Sequence, residues 1–178
     1  MGILLESLIN EANIIIPKDD YYYNFDKWEN GSEILMIVGL SGSGKSTLGK
    51  KLAKQYNVKY IELDNIEVEL SEIYGKDKIK NMSYDEYSKL FIDYVMNGKL
   101  KGTRRIMEGI DLILLSDYWD TINLKNYPII IKNTSFIKSS IRAYIRDKEY
   151  NYSKFKNVKN NNIYFYKYIK KLEKYLSI

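Results

Sequence analysis

Gly39-Leu40-Ser41-Gly42-Ser43-Gly44-Lys45-Ser46-Thr47 is the stretch that decides the fold, because it fits G-x-x-x-x-G-K-[ST] and both of its flanks have the character the pattern requires. Upstream, Glu33-Ile34-Leu35-Met36-Ile37-Val38 is a short apolar run with β-branched members, the mark of a strand buried on both faces. Downstream, Lys45 to Tyr56 places Leu48, Leu52 and Tyr56 at i, i+4 and i+8, one face of a helix. The stretch therefore reads as strand, glycine turn and helix start. Glycines lacking Cβ let successive backbone N–H groups turn inward at a helix N-terminus that already favours negative charge, so the loop is built to cradle phosphates. Gly39, Ser41, Gly42, Ser43, Gly44, Lys45, Ser46 and Thr47 are the expected nucleotide-binding residues.

Composition narrows the chemistry. The 178 residues are the size of one α/β domain. No cysteine and no histidine occurs, which removes disulfides, thiolate sites, imidazole acid–base catalysis and His-ligated zinc. No apolar run approaches the roughly 20 residues that span a bilayer, and no basic segment precedes an apolar one at the N-terminus. The expectation is a soluble, cytoplasmic protein with no membrane partner. The net charge of +5 conceals a gradient: residues 1–33 sum to −5, residues 34–124 balance, and residues 125–178 sum to +10. An anionic partner would be drawn to the last third. Only four arginines occur, Arg104, Arg105, Arg142 and Arg146, and against a lysine-rich background they are the more informative cations.

Further strands place further candidates at the ligand edge. Val58 to Leu63 reads as the second strand with Asp64 at its carboxyl end, where an open parallel sheet binds ligands. Asp64 can take a proton from an attacking hydroxyl or hold a metal-bound water; Glu62 shares its strand face, and a helix N-cap is the structural alternative. Arg105-Ile106-Met107-Glu108-Gly109 ends the third strand with a carboxylate able to hold a water on Mg²⁺ and a glycine that turns the chain. Arg104 and Arg105, toward the other end of that strand, are read as structural. Tyr127 to Lys132 is the fourth strand. Beyond it, Arg142 and Arg146 lie i, i+4 on one helix face, and two guanidinium forks suit a phosphoryl group in transfer.

The remaining segments set the organisation. Residues 1–33 form an N-terminal extension, with a helix over Ile3 to Asn13, a brief strand at Ile14 to Ile16 and an acidic aromatic loop containing Tyr21-Tyr22-Tyr23 and Trp28 as a cover for the sheet edge. Residues 34–150 form the core, with a helical substrate arm near 66–101; within it a helix covers Ile66 to Tyr74, and Ser83-Tyr84-Asp85-Glu86 is a capping box. Residues 151–178 comprise a basic, asparagine-rich linker and a helix from Ile163 to Leu176, capped by Asn161 or Asn162.

GLSGSGKST, the ELD of Glu62 to Asp64, MEGI at Met107 to Ile110 and IRAYIRD at Ile141 to Asp147 together resemble the P-loop small-molecule kinases of the nucleoside and nucleotide kinase type, over about residues 34–147. MEGI and IRAYIRD look most like uridine kinases, the phosphate loop looks like that of adenylylsulfate kinases, and the class includes adenylate kinase-like proteins. The resemblance implies a three-layer α/β P-loop NTPase fold, with helices on both faces of a mostly parallel sheet ordered 2-3-1-4-5. It implies ATP and Mg²⁺, with Lys45 on the β- and γ-phosphates, Ser46 and Glu108 at the metal, Asp64 at the acceptor hydroxyl and Arg142 and Arg146 closing over the phosphates. The expected partner is a small hydroxyl or phosphate acceptor. The chain departs from the pattern after Asp147, where no fifth strand is legible; Ile14 to Ile16 are the candidates to fill that edge. A second reading is a 5′-hydroxyl polynucleotide kinase whose lysine- and tyrosine-rich C-terminal segment tracks a nucleic acid.

Overall fold

The computed structural model describes residues 19–98, 101–134, 136–146 and 152–178. Its centre is a five-stranded sheet: β1 (Tyr21–Tyr23), β2 (Ile34–Gly39), β3 (Lys59–Glu62), β4 (Arg105–Glu108) and β5 (Ile129–Lys132), in spatial order β1-β5-β2-β4-β3. Four strands run parallel, and β1 pairs antiparallel with β5, Tyr22 opposite Ile130. All six residues of β2 are buried, as its unbroken apolar run requires of a strand covered on both sides.

Alternation along the strands sorts the core into two layers. Leu35, Ile37, Ile106 and Ile130 point to the face covered by α2 (Lys45–Tyr56), through Leu52 and Ala53, and by Trp28 of the short helix α1 (Phe25–Glu29). Met36, Val38, Met107, Ile129 and Ile131 point to the other face, against Ile169, Leu172 and Leu176 of the last helix. The architecture is the three-layer α/β arrangement of a P-loop NTPase. Between β3 and β4 the chain makes the helical arm, α3 (Ile66–Tyr74), α4 (Lys76–Lys80) and α5 (Tyr84–Ile92), the last continuing as a π turn over Asp93–Asn97. The capping box at Ser83 is present in both directions: the Glu86 amide donates to Ser83 Oγ at 3.3 Å and the Ser83 amide to Glu86 Oε2 at 2.9 Å.

Three expectations are corrected. The aromatic loop does not merely cover the sheet edge, because Tyr21–Tyr23 is itself the fifth strand; three tyrosines suit an edge exposed on one side. Ile14 to Ile16 lie outside the described residues. The polar linker is helical: α8 runs unbroken from Tyr152 to Leu176, following α6 (Asp111–Leu114) and α7 (Phe136–Arg146) in chain order. Its buried stripe passes through Val158, Asn162, Ile169, Leu172 and Leu176, and a buried asparagine in an apolar stripe conceals the periodicity. Asn162 is therefore mid-helix rather than a cap. Asp147 and the first residues of the former linker are outside the described residues.

Candidate active site

The phosphate loop is held from two sides. Gly42 has φ +79, and a Cβ there would lie 2.2 Å from the Ser139 carbonyl oxygen of α7, so only glycine permits both the turn and the helix contact. From α8, the fully buried Asn162 receives the Ser41 amide at 2.9 Å on Oδ1 and donates through Nδ2 to the Ser41 carbonyl at 3.3 Å and to Ser140 Oγ at 3.2 Å. One side-chain amide thus satisfies both backbone groups of a loop residue and ties it to α7. The Ser41 N–H points at α8, and that of Ser43 closes a turn on Leu40 at 3.0 Å. Among the described residues the amides of Gly42, Gly44, Lys45 and Ser46 make no internal hydrogen bond, so they are the donors the loop offers to an anion.

Behind the loop, Glu108 at the end of β4 gathers three groups. Lys45 Nζ stands 3.4 Å from its Oε1, while Ser46 Oγ donates to Oε2 at 3.1 Å and the Tyr60 hydroxyl to the same oxygen at 2.9 Å. Glu108 is 5 % exposed. The parallel register explains the meeting, since β3 and β4 align Glu62 with Glu108, and Tyr60 lies two residues earlier on the same strand face. Burial first, and then the charge of Glu108, raise the Tyr60 hydroxyl far above its ordinary range, so it stays a donor. Ser46 and Glu108 supply hard oxygen donors beside the phosphate cradle, which fits Mg²⁺. No three acidic side chains converge into a metal cage among the described residues; such an ion would complete its shell with phosphate and water.

Asp64 lies past the end of β3, in the single 3₁₀ turn Leu63–Asn65, not on the strand face it was expected to share with Glu62. The two carboxylates are consequently in different situations. Glu62 is engaged by Lys50 at 3.0 Å and by the Tyr60 hydroxyl at 3.2 Å, and the Lys50 hydrogen bond holds its pKa low. Asp64 is exposed and makes no ion pair among the described residues. Its neighbour is Asp111, at the start of α6, which was missed as a site residue. Burial, then the charge of Asp64, push the Asp111 carboxyl up to about 6, and its protonated form hydrogen-bonds Asp64. A β-carbon on Gly109 would meet Asp111 Oδ2 at 3.0 Å and Leu63 Cβ at 2.7 Å, so this glycine lets the two carboxylate-bearing turns approach.

A cavity of about 350 Å³ joins these parts. Gly39, Ser41, Lys45 and Ser46 line it from the loop, Glu62, Asp64, Glu108 and Asp111 from the strand ends, and Arg146 and Phe165 from α7 and α8. Arg142, one turn before Arg146, is exposed and does not line the cavity. Arg104 and Arg105 are structural: Arg104 stacks 4.0 Å from the Trp28 ring centre, and the fully buried Arg105 donates to the carbonyls of Thr103 and Val95 at 2.9 Å each. Tyr60, Asp111 and Asn162 were not found by sequence reasoning. Tyr60 alone carried a signal, the two-residue spacing to Glu62; the other two depend on tertiary contact.

Comparison with known proteins points to small-molecule kinases. The family described as shikimate kinase matches residues 41–92, which span the phosphate loop, α2, β3 and the helical arm. An adenylate kinase of Rickettsia bellii is 28% identical over 113 residues, covering 64% of this chain and 49% of that protein. A shikimate kinase of Brucella canis is 37% identical over 60 residues, covering 29% of this chain and 30% of that protein, and the pentafunctional AROM polypeptide of Schizosaccharomyces pombe is 34% identical over 53 residues. The chain spans about half the length of the adenylate kinases it matches, and less of the other two.

Proposed function

We propose that the protein is a P-loop kinase that transfers the γ-phosphoryl group of ATP to the hydroxyl of a small molecule. The observation that carries this reading is the convergence of Lys45, Ser46, Asp64, Glu108 and Arg146 on one cavity. The likeness to adenylate and shikimate kinases supports the same reaction class, and the motif resemblance to uridine kinases adds nucleosides to the acceptors worth testing.

The roles follow from position. The free amides of the loop and Lys45 bind the β- and γ-phosphates, and Arg146 meets the γ-phosphoryl oxygens from α7. Asp64 accepts the proton of the acceptor hydroxyl as its oxygen bonds to phosphorus; the bond to the bridging oxygen breaks and ADP leaves. Ser46 and Glu108 would hold Mg²⁺, which neutralises phosphate charge when bound. Tyr60 and Lys45 keep Glu108 oriented for this. Arg142 stands one turn from the cavity wall, so its part is secondary to that of Arg146.

A polynucleotide substrate is disfavoured, because of the described tyrosine side chains of α8 only Tyr164 is exposed and the others are spent on packing. Tyr166, Tyr168 and Tyr175 pack on the core, Tyr175 with its ring 5.1 Å from that of Trp119 and its hydroxyl on Asp120 at 2.8 Å. The proposed mechanism is tested by kinetics on two variants. Asp64→Asn is expected to lower kcat about 100-fold or more with little change in the Kd for ATP, and Lys45→Ala to abolish transfer with the fold intact. A Lys45→Ala protein that turns over normally contradicts the mechanism.

A further inference from the structure

The acceptor end of the cavity has a charge that limits what it can bind. Four carboxylates line the space, Glu62, Asp64, Glu108 and Asp111, against two cations, Lys45 and Arg146. Glu62 is paired with Lys50 and Glu108 with Lys45. That leaves Asp64 and Asp111, side by side and without an ion pair among the described residues. Lys45 belongs to the phosphate loop and Arg146 to α7, and the proposed mechanism directs both at the triphosphate. The other arginines are elsewhere: Arg104 on Trp28, Arg105 buried beneath Val95, Arg142 off the cavity.

Asp111 adds a more specific demand. Its Oδ2 is enclosed beside Gly109 and has no hydrogen-bond partner among the described residues, so a ligand meets Asp111 only through the part of the side chain that lines the cavity. The negative field extends to the arm, where half-buried Tyr87 faces Glu67 and Asp111; burial first and those two charges next push its hydroxyl up to about 12. A ligand group entering here meets acceptors and negative charge, and the two cations that line the cavity, Lys45 and Arg146, are those the proposed transfer engages.

Resting on the kinase reading, we propose that the acceptor is a hydroxyl compound bearing no anionic group, neutral or amine-bearing, which presents hydrogen-bond donors to the Asp64–Asp111 pair. The match to the family described as shikimate kinase ends at residue 92, so it includes Asp64 and leaves Asp111 outside. A free hydroxyl or ammonium group of the acceptor donates to Asp111, and the neighbouring hydroxyl is presented to Asp64 for deprotonation. An anionic analogue is repelled by both carboxylates at once.

The test pairs acceptors that differ in charge: adenosine with AMP, uridine with UMP, shikimate methyl ester with shikimate, and an amino sugar with the corresponding uronic acid. Label transfer from γ-labelled ATP in Mg²⁺ is measured for each, with ATP binding followed separately by titration. The expected result is kcat/KM at least about tenfold higher for the uncharged or amine-bearing member of the pairs that react, with the ratio shrinking in Asp111→Asn while the Kd for ATP is unchanged. Equal or better use of an anionic member by the wild-type protein overturns the proposal and leaves the kinase reading intact. ATP bound with label on no member of either set also counts against it, since the uncharged set represents the class. Failure to bind ATP removes the kinase reading itself, and this inference with it.

Discussion

At the scale of single residues, Asp111 sets stability against function. Burial and the adjacent Asp64 raise its carboxyl from 3.8 to about 6, so the ionised form is less favourable in the folded protein than in the unfolded chain. The sign follows: the penalty is absent below about pH 4, grows as the pH rises toward about 6 and is complete above it. Asp111→Asn is expected to stabilise the fold near pH 8 by on the order of 1–3 kcal/mol, with the gain fading toward pH 4, as read by urea denaturation at both pH values. A gain of equal size at both, or a loss near pH 8, would remove the claim that ionisation is the cost. Asp64→Asn is expected to move the Asp111 titration back toward the ordinary aspartate range, which carbon-detected NMR of the carboxyl can follow. The arginines give a second contrast. Arg146→Ala is expected to lower kcat about 100-fold and Arg142→Ala far less, since only Arg146 lines the cavity; equal losses would show that both reach the transferred group.

At the scale of elements, the phosphate loop depends on α8, a helix 121 residues away along the chain. Asn162→Ala leaves the Ser41 amide and carbonyl without their partner in a part-buried place, a loss of about 1–3 kcal/mol in stability. Because the loop amides that face the phosphates are positioned by the same backbone, the Kd for ATP is expected to rise several-fold. Calorimetric titration checks this, and unchanged ATP affinity in a destabilised variant would confine Asn162 to a purely structural role. Legibility at this scale was uneven for physical reasons. α2, α3 and the capping box at Ser83 were readable because local spacing and caps dictate them. The extent of α8 was not, since its asparagines and lysines read as a linker and Asn162 is explained only by a partner on another element. Asp111 escaped notice for a similar reason: it opens a four-residue helix with no motif of its own, and only the turn at Gly109 brings it to Asp64.

At the scale of the whole molecule, four parallel strands put every C-terminal end on one edge, which is why Gly39, Glu62 and Glu108 meet although the sequence scatters them. That much followed from one motif and three apolar runs. The fifth position in the sheet could not be read, because antiparallel addition of Tyr21–Tyr23 reverses both the direction and the chain order that a parallel pattern leads one to expect. The positive balance of the last third is likewise not a nucleic-acid track by itself, since among the described residues of α8 Phe165, Tyr166, Tyr168 and Tyr175 pack on the core while the lysines lie on its outer face and Tyr164 is exposed. Oligonucleotides ending in a 5′-hydroxyl are accordingly expected to receive no label and to show no steeply salt-dependent binding; titration across a range of salt would reveal either. The most direct measurement of the central claim is transfer of the γ-phosphoryl group from labelled ATP, in Mg²⁺, to a panel of small hydroxyl compounds, with Lys45→Ala alongside. Label appearing on an acceptor with the wild-type protein and not with Lys45→Ala is the predicted result; label released only as free phosphate, or transferred equally by Lys45→Ala, would contradict it.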